Sequence, residues 1–245
     1  MDIKYAQYSD VGNRDNNEDY VGCTVVENEK RGCFVLCDGL GGHGAGEVAS
    51  SLVVMTILGK YQTNAQDEDF MCKSIMEAQD ALLALQKQQR KENEMKTTLV
   101  VLQICDKLVR WAHVGDSRLY YFKKKKVQER TMDHSVPQML VNAGEIKEKE
   151  IRNHPDRNRL LRVMGIEWDS PKYVIHDDME LKESAAFLMC SDGFWELIDE
   201  HKMEKCLKKA KSPKEWIDLM MEIVLKNGKD INRDNTSAIA VFVEV

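Results

Sequence analysis

Short apolar runs rich in β-branched and aromatic residues recur along the chain at 3–8, 33–37, 98–104, 108–114, 119–122, 187–190 and 237–243, and three of them lead into an aspartate. Runs of this length and make-up read as strands. Hairpin-like pairs around Asp106-Lys107 and Asp116-Ser117 imply antiparallel pairing. Helical spacing fills the intervals. After Gly44, Val48, Leu52 and Met55 fall on one stripe, and Met71, Ile75, Ala78, Leu82 and Leu85 repeat through the next segment. A third helix is expected from Ser212-Pro213, a cap followed by a first-turn proline, with Trp216, Met220 and Ile223 turned inward. Strands accompanied by helices predict an α+β architecture, sheet against sheet with helices outside.

No repeat, low-complexity tract or Pro/Gly/Ser-rich linker interrupts the 245 residues, so one domain over 1–245 is expected. The run 133–171 stands apart. Polar, broken by Gly144, Pro155 and Gly165, and holding two short helical pieces, it reads as a lid or flap inserted into the sheet. The net charge of -6, from 41 acidic and 35 basic residues, argues against nucleic acid as a partner, which would want a basic face. The N-terminus MDIKYAQYSD has no apolar signal region, and no stretch approaches the roughly 20 apolar residues of a membrane helix. A cytoplasmic protein without membrane contact is expected. The seven cysteines are odd in number and form no CxxC pair, which favours buried free thiols such as Cys37 and Cys190 over zinc or disulfides. The lysine run 123–126 reads as a solvated turn, and the basic stretch 205–214 as a helix face and loop.

The aspartates carry the chemistry. FVLCDG contains Asp38, WAHVGDS Asp116 and FLMCSDG Asp192, each at the end of an apolar strand, while Asp234 in RDNTSAIAVFV stands just before a strand. In an antiparallel sheet the end of one strand lies beside the start of the next, so these four acids can converge on one edge. Glu18 and Asp19, in NNEDY, also precede a strand and can join them. Uncompensated carboxylates repel and raise one another's pKa, and divalent cations relieve that. An all-oxygen set favours Mg²⁺ or Mn²⁺ over Zn²⁺. A single Asp-Gly at a strand end is ordinarily a turn; it is the repetition that points to a metal site. Arg14, four residues ahead of Glu18, offers a fork of donors suited to a phosphate. The run DGLGGHGAGE fits neither GxGxxG nor GxxxxGK[ST]. Its glycines read as permitting close backbone approach to a metal, with the Gly39 carbonyl as a ligand.

Taken in order, SDVGNRDNNEDY, VLCDGLGGHGAGEVAS, TTLVVLQI, WAHVGDSRLYYF, DHSVPQMLVNAGEI, NRLLRVMG, LMCSDGFWELID and RDNTSAIAVF resemble the metal-dependent, type 2C serine/threonine protein phosphatases, in their compact bacterial branch. The resemblance implies a four-layer αββα sandwich with the metals at one end of the two sheets. It implies Asp38 bridging two Mn²⁺ or Mg²⁺ ions, with the Gly39 carbonyl on one of them. Asp192 and Asp234 would complete the opposite site, and Glu18 and Asp19 would act directly or through water. Arg14 would hold the substrate phosphate, and Asp116 with Asp192 a third, weaker metal. The implied reaction is single-step attack of metal-bound water on phosphoserine or phosphothreonine. The implied partners are phosphorylated proteins and the serine/threonine kinase that the enzyme opposes in signal transduction, and a monomer is expected. Two departures stand out. Leu40 occupies the place where many eukaryotic relatives carry a histidine as general acid, which leaves His43 or a metal-bound water for that role. Lys96 replaces the glycine usual before Thr97-Thr98. The alternatives are a non-catalytic phosphatase-like binding module and another two-metal hydrolase such as a nuclease. Retention of Arg14, Asp38, Asp192 and Asp234 speaks against the first, and the acidic charge against the second.

Overall fold

The computed structural model describes residues 1–26, 30–41, 45–65, 67–91 and 94–245. Its chain opens with strands β1 (Asp2–Asp10), β2 (Asp19–Val26) and β3 (Arg31–Leu40), then helices α1 (Ala45–Asn64) and α2 (Phe70–Gln89). Five strands follow: β4 (Lys96–Thr97), β5 (Leu99–Cys105), β6 (Leu108–Val114), β7 (Arg118–Lys123) and β8 (Lys126–Arg130). Helix α3 (Val136–Asn142) and a 3-10 helix over Glu148–Asn153 precede β9 (Val174–Ile175), β10 (Met179–Glu180) and β11 (Ala185–Cys190). The chain closes with α4 (Asp192–Trp195), α5 (Glu200–Lys209), α6 (Pro213–Asn227) and β12 (Thr236–Glu244).

One sheet runs β1-β12-β11-β7-β8 and the other β10-β6-β5-β3-β2, with β4 added to β3 and β9 to β6. The central strands are apolar on both faces, and the pleat sends alternate residues to different layers. From β3, Phe34 and Leu36 meet Phe187, Met189, Ile239 and Val241 of the opposite sheet. Cys33, Val35 and Cys37 instead face the layer of α1 and α2. Leu188 and Cys190 of β11 point the other way, into the layer of α5 and α6 around Trp216 and Met220. The result is helix, sheet, sheet, helix. All described cysteines are free. Among the described residues no helix is long and apolar enough to cross a membrane.

Each of the seven expected strands lies within an observed one, apart from Thr98, which precedes β5. Two expectations fail. Asp106-Lys107 does turn the β5–β6 hairpin, but Asp116-Ser117 does not join a pair. It carries the chain from β6 in one sheet to β7 in the other, so these residues sit between layers and are buried. The stripe assigned to α1 is also the wrong face: Val48 is 37% and Met55 61% exposed. Ala45, Ala49, Ser50, Val53, Val54 and Ile57 pack inward instead, their small members letting the helix close on β3. A helix apolar on several sides gives periodicity little to choose between.

The stretch between β8 and β9 contains α3 and the 3-10 helix, and it is tied to the first sheet by a buried ion pair. Arg118 on β7 donates from Nε and Nη2 to the two carboxylate oxygens of Asp133 at 2.8 and 2.7 Å, with both side chains almost wholly buried. The guanidinium stacks 3.4 Å above the Trp195 ring. Removing one partner strands the other charge in the interior. Asp133→Ala should therefore lower unfolding stability in urea by about 3–5 kcal/mol, and Arg118→Met combined with Asp133→Leu should recover much of it. A loss below about 1 kcal/mol for the single variant would put the pair in the class of surface bridges.

Candidate active site

At one end of the sandwich β3 is leaving its sheet, β2 is entering it, and the ends of β6 and β11 and the start of β12 come together. Antiparallel register sets Asp19 directly opposite Asp38 on β2 and β3. Asp116 follows β6 by two residues, Asp192 follows β11 by two, and Asp234 precedes β12 by two. The cavity formed there has a volume of about 500 Å³, and Arg14, Glu18, Asp38, Gly39, Asp116, Asp192 and Asp234 all line it. Asp19 lies beneath the lining, 5% exposed. His43 falls outside the described residues.

Hydrogen bonds fix the backbone and side chains of this end. Asp38 N–H donates to Thr98 Oγ1 at 2.9 Å, and its carbonyl accepts from Thr97 Oγ1 at 2.9 Å and Thr98 N at 2.8 Å. Ser191 Oγ donates to Asp19 Oδ2 at 2.8 Å. Asp19 Oδ1 is buried without a hydrogen-bond partner among the described residues. Arg14 Nη2 lies 2.8 Å from Asp234 Oδ2, both side chains being partly exposed. Gly39 is needed for packing as well as for the expected approach to a ligand. A Cβ there would stand 2.3 Å from the Gly46 carbonyl oxygen and 2.5 Å from that of Glu18.

The electrostatics are those of crowded acids. Burial, then the charges of Asp19, Asp192, Asp116 and Asp234, hold the Asp38 carboxyl well above its usual range. Asp192 is raised in the same way, by burial and then by Asp116 and Asp234. Burial pushes Asp19 up to about 7 despite donors from Ser237 and Ser191, and burial with the Asp133 charge does the same to Asp116. Glu18 is raised by burial, against a backbone N–H from Gly46. Among the described residues no three His, Cys, Asp or Glu side chains are drawn together as a closed cation cage. The acids ring an open cavity instead. An orphaned buried carboxylate oxygen and a set of oxygen donors held in mutual repulsion fit hard divalent cations.

Sequence patterns had not singled out Asn235, Asn158 or Leu160. Asn235 Oδ1 accepts from Glu18 N, and its Nδ2 donates to the carbonyls of Val11 and Asn16, so it clasps the loop that carries Arg14 and Glu18. Its only sequence signal is adjacency to Asp234. Asn158 and Leu160 wall the cavity from the stretch after the 3-10 helix. That stretch has no periodicity from which the placement could be read.

A family model described as Protein phosphatase 2C matches residues 6–231. The chain belongs to the protein phosphatase 2C family. It is 32% identical over 217 residues to the serine/threonine phosphatase stp of Listeria innocua, covering 85% of this chain and 84% of that protein. The crystal structure of the Mycobacterium tuberculosis serine/threonine phosphatase PstP/Ppp superposes with a TM-score of 0.85 at 26% identity, covering 100% of both chains. The catalytic domain of PstP in complex with 2 manganese ions matches with a TM-score of 0.83 at 25% identity over 99% of each chain.

Crowding predicts a pH signature for protein stripped of metal. Asp19 and Asp116 bind protons more tightly folded, near 7, than as free carboxyls at 3.8. The stability this contributes is complete below about pH 4 and is lost as pH rises through about 7. In EDTA the Tm should fall from about pH 5 to about pH 8, with a shallower slope in Asp116→Asn, and Mn²⁺ added at the upper end should raise it. A chelated protein whose Tm climbs through that window, with a slope that Asp116→Asn leaves unchanged, would contradict the crowding.

Proposed function

We infer that this cavity is the catalytic site of a serine/threonine protein phosphatase, a phosphoric monoester hydrolase acting on phosphoserine and phosphothreonine in proteins. The observation that carries the inference is the gathering of Asp38, Asp116, Asp192 and Asp234 with Glu18 and Arg14 on one cavity. The manganese complex of the PstP catalytic domain supports a divalent cation here. Asp38, the Gly39 carbonyl, Asp192 and Asp234 would hold two Mn²⁺ or Mg²⁺ ions, with Glu18 and Asp19 acting directly or through water, and Asp116 with Asp192 a third. When bound, such ions neutralise the acids, lower the pKa of water towards neutrality and polarise a phosphoryl group.

The chain's own residues orient and bind. Thr97 and Thr98 hold the Asp38 backbone from both sides, so its carboxylate keeps one direction. Ser191 fixes one oxygen of Asp19 and leaves the other for a cation or water. Arg14 stands at the rim, where its planar fork can leave Asp234 and take two oxygens of the substrate phosphate. Asn235 keeps that loop in place. Asn158 and Leu160 bring the segment 133–171 against the cavity, which supports its role as a flap of a single domain 1–245 that narrows access to the phosphorylated side chain. In this reading the partners are phosphorylated proteins and the kinase that modifies them, and the enzyme works as a cytoplasmic monomer. The non-catalytic alternative is not favoured, because none of the acids or Arg14 has been replaced.

Asp38→Asn and Asp192→Asn should each abolish hydrolysis of p-nitrophenyl phosphate and of a phosphothreonine peptide while circular dichroism stays native. EDTA should silence the wild type, and Mn²⁺ or Mg²⁺ should restore it. Full turnover in chelator, or near wild-type turnover in either variant, would overturn the assignment.

Arg14→Ala separates phosphate binding from metal binding. Loss of a charge-assisted contact of about 1.5–3 kcal/mol corresponds to roughly ten- to a hundredfold in kcat/KM. If the contact is equal in ground and transition states, the change falls mainly on KM. Metal affinity should hold or rise slightly, since a positive charge beside Asp234 is gone. Unchanged steady-state constants would make Arg14 a surface residue.

A further inference from the structure

The two lysine-rich runs, 123–126 and 205–214, are far apart in sequence and meet in space. The β7–β8 turn lies against the end of α5, where Lys125 Nζ donates to the Lys208 carbonyl at 3.3 Å. Between them opens a second cavity of about 540 Å³, lined by Phe122, Ala186, Leu207, Ala210 and Phe242 with Lys124, Lys125 and Lys211 at its edge. Phe122, Ala186, Leu207 and Ala210 are buried, so the floor is apolar. Lys208 and Lys209 stand in the last turn of α5, directly before the lining residues Ala210 and Lys211. Among the described residues, Lys125, Lys208, Lys209 and Lys211 have no carboxylate within ion-pair distance. The acids that line the cavity are already engaged, Glu183 by Lys123 at 2.8 Å and more loosely by Lys124 at 3.9 Å, and Glu244 by Lys4. Strand β11 leads from this cavity at Ala185 towards Asp192, so the two sites are separated by roughly 20 Å of strand.

The turn itself breaks a local rule. Lys123 pairs with Lys126, leaving a two-residue loop in which Lys124 has φ 51 and Lys125 φ 59. Such a loop calls for Asn-Gly or Asp-Gly, because in the left-handed region a Cβ crowds the following carbonyl oxygen, which Gly avoids and Asn or Asp offsets by local hydrogen bonding. Two consecutive lysines there give up local stability and place two charges over an apolar cavity. Departures of this kind are expected where a surface is used. In a chain whose net charge is -6, a basic rim is also not a product of overall composition.

We propose that this cavity docks an acidic segment of a partner protein that carries one aromatic or aliphatic anchor, at a site separate from the catalytic centre. The apolar floor takes the anchor, and Lys124, Lys125 and Lys211, with Lys208 and Lys209 beyond, take the carboxylates. The proposal does not depend on which residues bind metal.

The test uses the whole protein and fluorescein-labelled peptides: an Asp/Glu peptide with a central Phe, the same peptide with Ser in place of Phe, and a Gln-for-Glu, Asn-for-Asp version that keeps Phe. Fluorescence anisotropy should show the Phe-bearing acidic peptide binding more tightly than either control, and weakening as salt shortens the Debye length below about 10 Å. Lys124→Asn with Lys125→Gly should leave Tm unchanged or higher and p-nitrophenyl phosphate hydrolysis unchanged. That same double variant should lose roughly tenfold or more in peptide affinity. Lys211→Glu should weaken binding in the same direction. Equal affinity in the turn variant, or equal binding of the Ser and Phe peptides, would overturn the proposal. So would sedimentation with phosphatidylglycerol vesicles in the absence of any peptide binding, which would make the occupant a lipid surface.

Discussion

Repulsion among carboxylates is the constraint around which the acidic end of the sandwich is organised. Asp19 and Asp38 face each other across β2 and β3, and Asp116, Asp192 and Asp234 are delivered to the same cavity by other strands. Like charges directly opposite on neighbouring strands are unfavourable. A chain free to adjust would turn them outward. This one cannot, because β3 behind Asp38 is apolar on both faces, and a slip of one residue would exchange its side chains between the two layers. The hydrophobic sandwich therefore holds the acids in place against their mutual repulsion, an arrangement that suits hard cations.

The stretch between β8 and β9 is held by charges of the opposite kind, paired and satisfied. Arg118 and Asp133 anchor its start, Arg152 reaches Glu200 at 2.6 Å, and Arg157 lies 3.0 Å from Glu196. Trp195 joins this network to the catalytic end, since its indole N–H donates to the Asp116 carbonyl at 3.0 Å while its ring carries the Arg118 guanidinium. The elements that wall the cavity with Asn158 and Leu160 and those that position Asp116 thus share one set of contacts. Disturbance of the buried pair would be felt at the site as well as in stability.

The sandwich presents contrasting ends. Crowded acids gather where β3, β6 and β11 finish, and lysines over an apolar floor gather where β11 begins and β12 finishes. Strands β11 and β12 run between the two ends and keep the acidic and the basic cavity apart.

Sequence by itself marked the strands, the acids and Arg14 beside them, because each rests on local patterns. Alternation and apolar runs mark β3, β5, β11 and β12, and repetition of Asp at strand termini marks Asp38, Asp116, Asp192 and Asp234. Family resemblance along ordered motifs supplied the layer architecture. Only the tertiary structure decided that Asp116-Ser117 crosses between sheets, since a turn and a crossover begin with the same short polar interruption and differ in what the following strand pairs with. It also chose the buried face of α1, for which several apolar stripes competed, and it brought Asn235, Asn158 and Leu160 to the cavity through contacts spanning much of the chain. The meeting of two lysine runs about eighty residues apart is of the same kind, marked by the Lys125–Lys208 contact. Local propensity acts over a few residues and is written in the sequence; which distant surfaces meet is set by packing the whole core at once.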